Sequence, residues 1–380
     1  MNKKWQIYET DENKVEEIAE KYNLNKLLAT ILVNRNIVKE EDIRLFLEPT
    51  RADFHNPFKM IDMKKAVERI KQAIKNQEKV TIYGDYDVDG ITSITVLKSF
   101  LKDIGLEVET YIPNRLDEGY GLNKEAIKKI YDNGCQLMIT VDCGISAIDE
   151  IEYANLLGIE TIVTDHHEAG KEIPKAIAVV DNKRKDSTYP FRELAGVGVV
   201  FKLIQALGID MGLKEEEYLK YLDIVCVGTI SDIVPLIDEN RVITKLGLML
   251  IRQTRNIGLR SIINSSGYKK IDSSSISFGV APRINACGRM GKAEEALELF
   301  LSKNINEVNE LTRKLNEHNR VRQETEKSIF ESAVKQIEQE HLDEKNTIIV
   351  GGENWHHGVI RNCFFKNYRN VFQTKHIIKL

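Results

Sequence analysis

The spacing of apolar positions changes character along the chain. Over the first sixty residues it is helical: Val15, Ile18, Ala19 and Tyr22 recur at steps of three and four, as do Leu27, Leu28, Ile31 and Leu32. This spacing predicts a helical cap over residues 1–62. Phe54-His55-Asn56-Pro57-Phe58 reads as a loop, and a helix follows over 63–76. From about Lys79 the apolar runs shorten, with strands expected at 80–83, 108–112, 136–141, 160–164 and 176–180. Between and after them lie helical patterns at 91–104, 124–132, 147–157 and 197–207. Strands alternating with helices at this spacing predict an α/β fold, a parallel sheet with helices on both faces. Sites in such sheets lie beyond the carboxyl ends of the strands. After Pro235 the pattern is mainly helical, ending in a long charged stretch from Ile305 to about His341. A strand-like run, Thr347-Ile348-Ile349-Val350, then opens what reads as an incomplete second α/β domain. The expected domains are 1–62, a catalytic α/β unit at 63–235, a mainly helical segment at 236–345, and 346–380.

Charge adds little to this picture. Lys and Arg number 54 against 58 Asp and Glu, so any nucleic-acid contact must use a local patch. The five cysteines are scattered and odd in number, without the close pairing of a zinc knuckle or redox motif. No apolar run is long enough to span a bilayer, and no apolar signal core follows Lys3 and Lys4. The expectation is a cytoplasmic protein with no membrane partner.

Acidic residues stand where the fold wants a site. Asp85, Asp87 and Asp89 follow the first strand, Asp142 closes the third, and Asp165, His166 and His167 close the fourth. Asp232 follows the apolar run Ile224–Ile230. Four segments thus deliver carboxylate or imidazole to what should be one edge of one sheet. Charges gathered this way would repel by several kcal/mol unless a cation held them. Carboxylates with one or two imidazoles and no thiolate suit Mn²⁺ or Mg²⁺ better than structural zinc. So many carboxylates can hold two ions. An EF-hand is excluded: Asp85-Tyr86-Asp87-Val88-Asp89-Gly90 follows a strand, and its twelfth position is Val96 rather than Glu. Taken singly the pieces are bland, since Asp142 could cap a helix and paired histidines in a loop are usually incidental.

The segments Tyr83–Gly90, Val141-Asp142-Cys143-Gly144, Thr164-Asp165-His166-His167 and Gly228-Thr229-Ile230-Ser231-Asp232 resemble the four signatures of the DHH phosphoesterases. Ile112-Pro113-Asn114-Arg115, Glu118-Gly119-Tyr120-Gly121 and Ala281-Pro282-Arg283-Ile284-Asn285-Ala286 are similar to the RecJ exonucleases in particular. The resemblance covers about residues 1–360. It implies metal ligation by Asp85, Asp87, Asp89, Asp142, His166 and Asp232, with Asp223 the alternative to Asp232 in the fourth signature. It implies catalytic roles for Asp142 and His166, and for His167 facing the scissile phosphate. Arg115, Arg283 and Arg289 would hold substrate phosphates, for which a planar guanidinium is suited. The implied activity is metal-dependent 5′-to-3′ hydrolysis of single-stranded DNA to 5′ mononucleotides in repair and recombination. A single-strand-binding protein and a helicase are the implied partners. Two other readings stay open: a DHH phosphodiesterase acting on short oligonucleotides or cyclic dinucleotides, and a non-catalytic scaffold of replication proteins.

The pattern breaks after Ile360. Where the family continues with a glycine-rich helix start, the chain reads Arg361-Asn362-Cys363-Phe364-Phe365 and ends at Leu380. That tail carries Arg361, Lys366, Arg369, Lys375 and Lys379 without an acid. The expectation is a truncated or frame-altered C-terminus, with strand binding and activity weakened or lost.

Overall fold

The computed structural model describes residues 7, 9–115, 117–342, 345, 347–353 and 355–360, and the backbone of 374–378. Five short apolar runs form its central sheet: β1 (Val80–Gly84), β2 (Val108–Tyr111), β3 (Leu137–Val141), β4 (Glu160–Asp165) and β5 (Ala178–Asp181). All neighbours pair in parallel, in the order β2-β1-β3-β4-β5. The chain passes from β1 to β2 on one side and then crosses to β3 on the other, so the switch point lies between β1 and β3.

Both faces are covered, as the strand pattern requires. Val80, Ile82, Leu137, Ile139, Val141, Ile162, Ala178 and Val180 point into one core, packed by helices Met63–Asn76, Val88–Asp103 and Gly196–Asp210. Tyr83, Met138, Val163 and Val179 point the other way, against helices Lys124–Asp132 and Ile148–Leu156. The larger core does not stop at residue 235: it takes in Ile251, Leu259, Ile262, Leu297, Phe300, Val308 and Leu315 from the following helices. The N-terminal helices keep a small core of their own, built on Val15, Ile18, Ala29, Leu32, Ile37 and Ile43. The long helix Ile305–Gln339 begins in the main core and ends in another small one, where Ile329, Ala333 and Ile337 meet Ile348, Val350, Trp355 and Val359.

Two elements differ from the sequence expectation in ways that matter. The helix after β1 starts at Val88, not Ile91, because Asp87 Oδ1 accepts from the backbone N–H groups of Asp89 (2.9 Å) and Gly90 (3.1 Å). The apolar run before Asp232 is a helix, Leu222–Ser231, whose residues from Leu222 to Ile230 are all buried. Asp232 therefore reaches the site from a helix C-terminus rather than a sheet edge. A run buried all round has no period to distinguish helix from strand.

The tail residues Arg361, Cys363, Lys366, Arg369 and Lys379 lie outside the described residues. The backbone of Thr374–Ile378 pairs in parallel with Thr347–Gly351. Cys135, Cys143, Cys226 and Cys287 are buried free thiols. Among the described residues no helix is long and apolar enough to cross a membrane.

Candidate metal centre

The sheet register sets up the site. Gly84 pairs with Val141, Val141 with Thr164, and Thr164 with Val180. The next residue on each strand is an aspartate, so Asp85, Asp142, Asp165 and Asp181 form one row across the carboxyl edge. Asp85 and Asp142 flank the switch point.

Asp142 leaves its strand in the left-handed region, at φ +59°. An aspartate tolerates this better than most residues, and the turn puts its carboxylate against the start of helix Gly196–Asp210. A Cβ on Gly196 would lie 2.6 Å from Asp142 Oδ1, so only glycine permits this approach. The same helix start holds Asp89, whose Oδ2 accepts from Gly196 N–H (2.6 Å) and Oδ1 from Val197 N–H (2.9 Å). A helix N-terminus favours a carboxylate by charge as well as by hydrogen bond. Gly90 lets the Val88–Asp103 helix rest on Asp85, because a Cβ there would overlap the Asp85 carbonyl.

His166 ties the groups together. Its Nε2 stands 3.1 Å from Asp142 Oδ1 and 3.6 Å from Asp89 Oδ2, and its Nδ1 lies 3.8 Å from Asp232 Oδ2. Three sets of ligand atoms each fall within 4.8 Å of one another: Asp85, Asp87 and Asp142; Asp89, His166 and Asp232; and Asp142, His166 and His167. All six ligands implied by the sequence thus converge, and Asp142 and His166 each belong to two sets. Asp223 is not among them. It sits at the other end of the Leu222–Ser231 helix, roughly 13 Å away at 1.5 Å per residue, with Thr254 Oγ1 donating to its Oδ2 (2.5 Å).

The electrostatics of the cluster call for a cation. Burial, and then the charge of Asp87, push Asp85 and Asp89 up to about 7. Burial and Asp89 do the same to Asp232, and hold Asp142 well above the usual carboxylate range. Among the described residues, Asp85 Oδ1 and His166 Nδ1 are buried without a hydrogen-bond partner. Burial depresses His166, so its imidazole is neutral and free to ligate. Buried oxygens that repel one another, with an imidazole among them and two unsatisfied atoms, match the donor set of a hard divalent ion.

His167 is set apart by Asp165, which the sequence marks as a strand-end acid without assigning it a role. Asp165 Oδ1 accepts from His167 Nδ1 (2.7 Å) and from the backbone N–H of His166 (2.7 Å), while Oδ2 accepts from Ile145 N–H (2.9 Å). The Asp165 hydrogen bond raises His167 to about 9, so the ring is protonated near neutral pH. Burial alone would raise Asp165, but the His167 bond and charge and the backbone donors bring it below its ordinary value. Tyr120 Oη lies 3.4 Å from His167 Nε2. A pattern with two histidines draws attention to the rings; only the register shows that the aspartate before them faces inward to orient one.

The three arginines have different surroundings. Arg115 lies over the Tyr86 ring, 5.1 Å from its centroid, within reach of Asp85's field. Arg289 donates to the Gly358 carbonyl (2.9 Å) and acts on the same Tyr86. Arg283 is otherwise engaged: Nε donates to Asn316 Oδ1 (2.7 Å), and its terminal nitrogens donate to the carbonyls of Gly279 (2.5 Å) and Ser265 (3.4 Å). Three of its five N–H donors thus go to neighbouring segments.

A buried network steadies the loop that carries Asp232. Lys202 and Glu239 form a fully buried pair at 2.8 Å. Glu239 also accepts from Tyr189 Oη (2.5 Å) and His55 N–H (3.0 Å). Next to it, Asn240 Nδ2 donates to the Pro235 carbonyl (3.0 Å).

Residues 79–229 match the DHH family, N-terminal domain. The chain is 43% identical over 359 residues to the single-stranded-DNA-specific exonuclease RecJ of Bacillus subtilis, covering 94% of this chain and 45% of that protein. It is 33% identical to the Escherichia coli protein of that name, over 78% of this chain and 54% of the relative. A crystal structure of RecJ in complex with Mn²⁺ from Thermus thermophilus superposes with a TM-score of 0.84, at 28% identity, over 97% of this chain and 52% of that one. A structure of exonuclease RecJ bound to manganese gives a TM-score of 0.78 at 32% identity, covering 84% and 80% of the two chains. The chain spans about half the length of the curated relatives it matches.

Proposed function

The chain belongs to the RecJ family of exonucleases, and from that premise we propose that it hydrolyses single-stranded DNA from the 5′ end, releasing 5′ mononucleotides with Mn²⁺ or Mg²⁺. The observation that carries this reading is the convergence of Asp85, Asp87, Asp89, Asp142, His166 and Asp232 around buried atoms that lack partners. Asp85, Asp87, Asp89, Asp142, His166 and Asp232 would hold the ions, and so many donors leave room for two. Bound divalent ions would supply a Lewis acid for the scissile phosphate and lower the pKa of the attacking water.

The chain's own residues do the rest. Gly196 and Val197 N–H groups fix the Asp89 carboxylate, and the left-handed turn at Asp142 fixes the second. The bond from His167 Nδ1 to Asp165 favours a protonated ring, and that ring would give its proton to the departing 3′ oxygen. Arg115 and Arg289 would take the terminal 5′ phosphate and so select the end. Phosphate contacts position a strand without reading bases, so sequence preference should be small. Single strands are exposed when duplexes are opened or coated, which makes a helicase and a single-strand-binding protein the fitting partners in the cytoplasm.

The test is Asp142→Asn with a 5′-phosphorylated single strand. Mn²⁺-dependent release of mononucleotides from the 5′ end should fall at least 100-fold on the scale of a lost catalytic group. Parent-like release by the variant, or release from the 3′ end by the parent, would refute the assignment.

A further inference from the structure

Beside the carboxylate cluster lies a cavity of about 620 Å³ whose wall includes Ser231, Ile233, Phe278, Asn285, Arg289 and Arg322. It adjoins the site on two sides. Ser231 precedes the ligand Asp232, and Asn285 Oδ1 accepts from the backbone N–H of Val88 (3.3 Å) in the acidic loop.

Two apolar side chains on this wall have no packing reason for their position. Ile233 is 88% exposed, and its φ is +63°. A β-branched residue in the left-handed region is a strained outlier, and an isoleucine exposed to this degree recovers little of that cost by burial. Phe278 is 72% exposed on a π-helical turn, Ser275–Val280. Such turns are rare and are found often at functional sites. Both side chains meet the cavity that also contains Arg289 and Arg322, and Arg322 is held by Glu326 (2.6 Å) and Asn319 (3.1 Å). Apolar and aromatic surface next to fixed guanidinium groups is the chemistry that binds a single strand, bases on the ring and phosphates on the cations.

We propose that Ile233 and Phe278 form a base clamp, in which the nucleobase next to the scissile phosphate lies against the Phe278 ring and is pressed there by Ile233. The clamp rests on the exonuclease reading and deepens it: the enzyme senses the presence of a base, though not its identity, because every base has a π face. A strand lacking bases would then be held by its phosphates alone.

The experiment compares binding of oligothymidylate and of an abasic sugar-phosphate strand of equal length, by fluorescence anisotropy without divalent ions so that neither is cut. The parent should bind the thymidylate strand roughly 5- to 150-fold more tightly, the range for one stacked base. Phe278→Ala should remove most of that difference while leaving the abasic affinity unchanged, and Phe278→Trp should restore it. Ile233→Gly should narrow the difference and raise the melting temperature, because glycine relieves the strained φ. A parent that binds both strands equally, or a Phe278→Ala variant that keeps the full difference, overturns the clamp and leaves the exonuclease reading standing. A parent that binds neither strand and releases no nucleotide overturns both.

Discussion

Removing divalent ions should make the protein's stability fall as pH rises, opposite to the usual behaviour of carboxylates. The cause is the direction of the shifts. Asp232 has a folded pKa raised to about 7 by burial and Asp89, and Asp85 and Asp89 are raised likewise by burial and Asp87. A group whose folded pKa exceeds its unfolded value contributes stability that is complete below the unfolded pKa. That contribution is lost as pH rises through the folded pKa. The window therefore runs from about pH 4 to about pH 7 or 8. Asp232 alone is shifted by about 3 units, worth on the order of 4 kcal/mol. About two of those units fall between pH 5 and pH 8, on the order of 3 kcal/mol, so at roughly 1–2 °C per kcal/mol for a chain of this length the melting temperature should drop by about 3–6 °C over that range. His167, raised to about 9 by its bond to Asp165, adds a loss in the same direction at higher pH. His166, depressed by burial, acts oppositely, costing stability as pH falls below its unfolded value. Binding Mn²⁺ discharges the repulsion, so the ion should stabilise far more at pH 8 than at pH 5. The assay is thermal unfolding across pH 5–8 with chelator and with Mn²⁺. A chelated protein whose melting temperature is flat or rises across that range, or an equal Mn²⁺ effect at both ends, would refute the reasoning.

Three further outcomes follow from the same geometry. Lys202→Met should cost about 3–5 kcal/mol in a denaturant titration, since it strands Glu239 at 0% exposure, and adding Glu239→Leu should recover much of it. Gly196→Ala, whose new Cβ would press on Asp142 Oδ1, should weaken Mn²⁺ binding about 10-fold or more in calorimetry, an amount worth about 1.4 kcal/mol. Asp223→Asn should leave Mn²⁺ affinity at the parent level, whereas Asp232→Asn should lower it, because only Asp232 joins Asp89 and His166.

Much of this site is legible in the sequence because strands in an α/β sheet are read from short apolar runs, and their carboxyl ends are then marked by position. That logic picks out Asp85, Asp142 and His166 directly. It marks Asp232 as well, after an apolar run, but the choice of Asp232 over Asp223 rests on the family resemblance, since the buried Leu222–Ser231 helix carries no periodic signal and an aspartate lies near each of its ends. Asp165 is visible as a strand-end acid, but its role stays hidden because that depends on which way the side chain faces, a matter of register with β5 that no local pattern encodes. Arg283 sits in a motif shared with the family, and three of its donors go to Asn316, Gly279 and Ser265, partners separated from it by up to 33 residues and invisible to a local pattern. The strain at Ile233 has no sequence signature at all; it arises where the chain must reverse just after delivering Asp232.

Mn²⁺ titration of the metal-free chain by calorimetry, for the parent and for Asp142→Asn, goes straight to the claim that separate segments share divalent cations. The parent should take up close to two ions per chain with release of protons, and the variant should lose at least one of them. An uptake of none by the parent, or identical curves for the two proteins, would contradict it.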